Sequence, residues 1–108
     1  MATKIYNKLV RDLIPDIIEE SGNECRTRIL SDEEYLKMLD AKLDEELLEY
    51  HQDQNIEELA DLLELIRAAA IARGYTLEEL ESVRAEKAKA RGGFDKKIFL
   101  IDVTEEDG

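Results

Sequence analysis

Apolar residues recur at helical spacing through the middle of the chain. Leu36, Leu39, Leu43, Leu47 and Tyr50 fall, at about 100° per residue, within one arc roughly 80° wide. Leu59, Leu62, Leu63, Ile66 and Ala70 form a comparable stripe in the next segment. Start signals precede both stripes and a third segment: Ser31 with Glu34, Asn55 with Glu58, and Thr76 with Glu79 have the spacing of capping boxes. They predict helices from Ser31 to about Tyr50, from Asn55 to Gly74, and from Thr76 to the Gly92-Gly93 pair, where glycine relieves the left-handed cap. A shorter helix is predicted from Pro15, whose ring costs no hydrogen bond there, to Gly22. Residues 25–30 alternate in polarity and residues 94–103 contain Ile98-Phe99-Leu100-Ile101, which predicts at most a small two-stranded β element. The expected fold class is mainly α, an antiparallel helical bundle. Residues 1–104 form one domain in this reading and residues 105–108 a frayed acidic tail.

The connection from about Gln52 to Asn55 is short, so the two striped helices are expected to lie antiparallel. Leu48 and Leu65 fall outside their own stripes. A small chain with spare apolar faces covers them by associating with copies of itself, and a homodimer or homotetramer is expected.

Charge narrows the possible partners. The 108 residues carry 27 acids against 15 bases, a formal net charge of −12. This argues against a nucleic-acid polymer as partner, because phosphate backbones select the opposite sign. It suits divalent cations, or small anions that arrive with a cation. The lone Cys25 excludes an internal disulfide and thiolate-rich zinc sites. No apolar run reaches membrane-spanning length and no signal-peptide core is visible, so a cytoplasmic protein with no membrane partner is expected.

The acids are concentrated. Between Ser31 and Ile66 there are thirteen, against only Lys37 and Lys42. Two spacings recur there, Glu46-Leu47-Leu48-Glu49 and Glu58-Leu59-Ala60-Asp61, and residues three apart project from neighbouring positions on a helix. Glu46 lies about 20° outside its apolar arc and Glu49 about 60° further round, while Glu58 and Asp61 flank the second stripe. Antiparallel packing brings the four carboxylates together at the edge of the core, where they repel unless a cation neutralises them. Hard oxygen ligands select Mg²⁺ or Mn²⁺. Bundle di-iron sites use Glu-x-x-His pairs; the single histidine, His51, has no such spacing and reads as a surface residue near the turn.

At this point the chain resembles a known family. Glu45-Glu46-x-x-Glu49, eight residues, then Glu58-x-x-Asp61 is similar to the signature of the all-α nucleoside triphosphate pyrophosphohydrolases. These are the MazG-like proteins, related to dimeric dUTPases and phosphoribosyl-ATP pyrophosphohydrolase. Asn7-Lys8-Leu9-Val10-Arg11-Asp12-x-Ile14-Pro15 and Lys87-x-x-x-Arg91-Gly92-Gly93-Phe94 resemble the small house-cleaning branch. The gap between the acid pairs is shorter than is usual in that family, leaving little room for an inserted specificity loop. The resemblance implies a Mg²⁺ site of Glu46, Glu49, Glu58 and Asp61, and hydrolysis between the α- and β-phosphates to a nucleoside monophosphate and pyrophosphate. Glu45, about 40° round from Glu49, is the candidate to orient or deprotonate water.

A triphosphate also needs cationic side chains. Six of the fifteen bases lie between Arg84 and Lys97. Lys87 and Arg91 share a helix face at i, i+4, and with Lys8 and Arg11 they are the candidate substrate-binding cations. Tyr6, Tyr50, Tyr75, Phe94 and Phe99 are candidates for base stacking, or else core. No Walker-type loop is present. Two alternatives stay open: phosphoribosyl-ATP hydrolysis in histidine biosynthesis, and a non-catalytic acidic helical module that binds a partner or regulates it.

Overall fold

A computed structural model describes residues 2–106; the last two residues of the expected tail lie outside the described residues. Four helices follow one another: α1 (Ile14–Glu20), α2 (Asp32–Asp53), α3 (Ile56–Ala72) and α4 (Leu77–Arg91). The start signals act as expected. Ser31 and Glu34 form a complete capping box, as do Thr76 and Glu79. At α3 the Asn55 side chain accepts the Glu58 N–H, but Glu58 does not reach back, which leaves its carboxylate available to the helix interface. Gly74, at φ +92°, closes α3 with the Tyr75 N–H bonded to the Ala70 carbonyl and the Gly74 N–H to that of Ile71.

Helices α2 and α3 are joined by only Gln54 and Asn55, with Gln54 in the left-handed region at φ +53°, and pack antiparallel along their length. Helix α4 meets α3 and, among the described residues, neither α1 nor α2. No strand forms among the described residues. Residues 25–30 and 94–103 run without ladder partners, and Phe94 is 97% exposed; two short strands with no face to pack on are not stable alone. Of the five aromatic candidates only Tyr50 is half-buried. Tyr6, Tyr75, Phe94 and Phe99 stand in solvent, so none of these four is core.

The seam between α2 and α3 keeps only part of the stripes that hydropathy selects: Leu36, Leu39, Leu43 and Tyr50 on α2 and Leu62 and Ala70 on α3 are buried or half-buried. On α3 the half-buried residues Glu58, Leu62, Leu65, Ala69 and Ala72 follow an alternating four-three spacing, the period of a continuous seam. Leu65, expected outside, lies in this seam, whereas Leu59, Leu63 and Ile66, expected inside, are exposed. On α2 the corresponding line is Tyr35, Leu39, Lys42, Glu46 and Glu49. Leu39, 2% exposed, is the single fully buried apolar residue among the described ones. The seam is therefore apolar at one end and carboxylate-rich at the other.

Much apolar surface is left over. Ile56, Leu59, Leu63 and Ile66 repeat at three-four spacing along a second line of α3, rotated by roughly 130° from the first. Leu47 extends a similar offset line on α2. In antiparallel helices offsets of the same sign fall on the same side of the pair, so both lines share one open face. The chain exposes 10327 Å², whereas a compact monomer of its 12.4 kDa exposes about 6,100 Å². Its radius of gyration is 19.6 Å, against about 13 Å for a compact domain of this length.

Candidate metal centre

The carboxylates gather where the turn end of the hairpin brings the second half of α2 against the first turns of α3. Oxygens of Glu46, Glu58 and Asp61 all lie within 4.8 Å of one another, and so do those of Glu45, Glu46 and Glu49. Glu46 belongs to both groups. It is 7% exposed and sits inside the seam rather than at its edge, because the interface is rotated from the predicted stripes. All four expected metal ligands and Glu45 are thus brought together. His51 lies in the last turn of α2, exposed, its ring tilted against Tyr50 with centroids 6.0 Å apart.

Their electrostatics follow from crowding. Burial pushes the Glu46 carboxyl up to about 7, helped by a hydrogen bond with Glu49 and the charges of Glu49 and Asp61, while Lys42 pulls the other way. Glu58 is raised as well, by desolvation first and then by the charges of Glu49, Asp53 and Asp61. Oε2 of Glu46 and Oε2 of Glu58 are buried and have no hydrogen-bond donor in the chain. Ionised carboxylates only accept, so these oxygens need either a shared proton or a cation. The donor set, several carboxylates and no nitrogen or sulfur, fits Mg²⁺ or Mn²⁺.

Three cations line the cluster. Lys42, one turn before Glu46, places Nζ 3.6 Å from Glu46 Oε1 and 3.4 Å from Glu45 Oε2. Lys42 is not among the residues that the sequence motifs single out; its i, i+3 and i, i+4 spacing to Glu45 and Glu46 is the signal that finds it. Lys8 Nζ is 3.5 Å from Glu45 Oε1, and Arg11 Nη2 donates to Asp61 Oδ1 at 2.6 Å. The N-terminal bases therefore reach the cluster from the preceding segment of the same chain. Lys87 and Arg91 do not. They lie exposed on α4, which does not touch α2, and among the described residues neither has an ion-pair partner.

No helix of the described chain is long and apolar enough to cross a membrane. Searches against family models and against solved structures return no match. A protein of Mycolicibacterium smegmatis described as uncharacterized is 57% identical over 42 residues, 39% of this chain and 43% of that protein. The matched stretch spans less than half of either chain, and it supplies kinship without a function.

Proposed function

We propose that the chain is a cytoplasmic, Mg²⁺-dependent hydrolase of nucleoside triphosphates, releasing a monophosphate and pyrophosphate, with non-canonical or excess nucleotides as substrates. The observation that carries this reading is Glu46: a carboxyl nine-tenths buried, with one oxygen lacking any donor, facing Glu49, Glu58 and Asp61. A fold does not keep such a group buried without a partner at low cost.

Glu46, Glu49, Glu58 and Asp61 would hold the cation. When bound, it supplies charge neutralisation for phosphate oxygens and a water of lowered pKa. Glu45, at the half-exposed rim between Lys8 and Lys42, orients that water or takes its proton. Lys8, partly exposed, and Arg11, more than half exposed, bind the phosphates that extend from the cleft. The open face of Leu59, Leu63 and Ile66 takes a second copy of the chain.

Pyrophosphate release tests the reading. Pure protein with Mg²⁺ is offered canonical, deoxy- and modified triphosphates and phosphoribosyl-ATP. Release from a triphosphate, abolished in Glu46→Gln and Glu58→Gln, is the expected result. Release from phosphoribosyl-ATP alone moves the enzyme into histidine biosynthesis. Silence on every substrate leaves the acidic helical module, binding a partner without catalysis.

A further inference from the structure

The segment before α1 does more than carry two bases. Residues 7–11 cross the carboxylate cleft from one wall to the other. Asn7 turns the backbone at φ +46°. Leu9 is half-buried and lines, with Asn7, Lys8, Met38, Ala41, Lys42 and Glu45, an open cavity of about 180 Å³. From this anchor Lys8 reaches Glu45 on α2 and Arg11 reaches Asp61 on α3. Asp61 is one of the three carboxylates whose oxygens lie within 4.8 Å of each other. Beside it the Glu46 side chain, nine-tenths buried, turns an undonated oxygen into the cluster.

Two demands on Asp61 therefore conflict. A guanidinium at 2.6 Å from Oδ1 takes up one of the two oxygens of Asp61, and its positive charge repels a second cation placed among the same carboxylates. An anion reverses the preference, because phosphate oxygens accept from guanidinium bidentately. We propose that residues 7–11 form a cationic strap that holds the metal-free cleft closed through Lys8–Glu45 and Arg11–Asp61, and that a divalent cation displaces it, handing both side chains to the phosphates of the incoming anion. This rests on the metal-binding reading above and adds to it an antagonism between Arg11 and the cation. Cation and polyphosphate then bind cooperatively, since each removes what opposes the other.

Calorimetric titration of Mn²⁺ into the full chain tests the antagonism without reference to turnover. Arg11→Met keeps much of the apolar stem and removes the charge. It is expected to bind Mn²⁺ about fivefold tighter than wild type, the size of a half-exposed ion pair released, with Arg11→Lys in between. Inorganic pyrophosphate should bind the Mn²⁺-loaded Arg11→Met protein about tenfold more weakly than loaded wild type. Tryptic cleavage after Lys8 and Arg11 in wild type should quicken on adding Mn²⁺, while cleavage elsewhere does not. Should wild type and Arg11→Met bind Mn²⁺ equally while Glu46→Gln loses it, the metal site stands and the strap is overturned. If wild type takes up no Mn²⁺ at all, both fall.

Discussion

Lys42 and Glu46 lie one turn apart on α2, with Nζ 3.6 Å from Oε1, and the carboxyl is nevertheless raised to about 7. Burial and the neighbouring Glu49 outweigh the ammonium because Lys42 divides itself between Glu46 and Glu45. One cation among several carboxylates cannot neutralise them. The deficit makes the cluster a candidate cation site, and it makes burying these carboxylates costly.

That cost sets a pH dependence. Glu46 holds its proton more tightly folded than unfolded, so its own contribution to stability is fullest below about pH 4.5 and is lost as pH rises through 7. Glu46→Gln should therefore stabilise the metal-free protein at pH 8 by on the order of 2 kcal/mol, with the gain vanishing near pH 4. Urea unfolding at the two pH values measures it. A gain that does not change with pH would mean that Glu46 is not strained by its charge.

Divalent cations should reverse the same strain. Mg²⁺ or Mn²⁺ at a hundredfold excess over Kd should raise unfolding free energy by about 2.7 kcal/mol, seen as a higher Tm. The increment should shrink below pH 7, where protons compete for Glu46 and Glu58. It should disappear in a Glu46→Gln, Glu58→Gln double variant, and Ca²⁺ or Na⁺ alone should not reproduce it fully.

The open apolar face predicts self-association. Leu63 is 56% exposed in the middle of the outer α3 line, so Leu63→Glu places a charge where two copies would meet. Sedimentation should show wild type as a dimer or tetramer and the variant shifted towards monomer, with helicity retained. Wild type sedimenting as a monomer at micromolar concentration would remove the second copy from the picture.

Local caps should behave independently of the site. Asn55→Ala removes the acceptor for the Glu58 N–H and should cost about 1 kcal/mol. Gly74→Ala meets no neighbouring atom within 4 Å but must adopt φ +92°, for a comparable loss. Neither change should alter Mn²⁺ affinity at temperatures where the protein is folded; a loss of affinity in Asn55→Ala would show that the start of α3 positions Glu58.

The helices were legible in the chain itself, because caps and glycine stops act over three or four residues. Ser31, Asn55 and Thr76 open their helices where the spacing to Glu34, Glu58 and Glu79 says they do. The convergence of Glu46, Glu49, Glu58 and Asp61 was legible too, since a short turn forces two i, i+3 pairs to meet. The packing surface was legible only in part. Hydropathy selects Leu59, Leu62, Leu63, Ile66 and Ala70 as one stripe, whereas the hairpin leaves Leu59, Leu63 and Ile66 exposed and closes on a line in which Lys42, Glu46, Glu49 and Glu58 stand among Leu39, Leu62 and Leu65. A seam that contains its own charges looks polar to any periodicity count. The β-prone segments failed for a related reason: a strand needs a neighbour and a surface, and local propensity supplies neither.

Sequence alone determined the helical segments, their ends, the antiparallel turn and the identity of the acidic residues, all short-range consequences of backbone capping and helix period. Tertiary packing alone decided which face of each helix closes, and therefore that Glu46 is buried and that Lys8 and Arg11 but not Lys87 and Arg91 reach the cluster. Rotation of one helix about its axis costs nothing in local hydrogen bonding, so the choice is made by contacts between segments far apart in the chain.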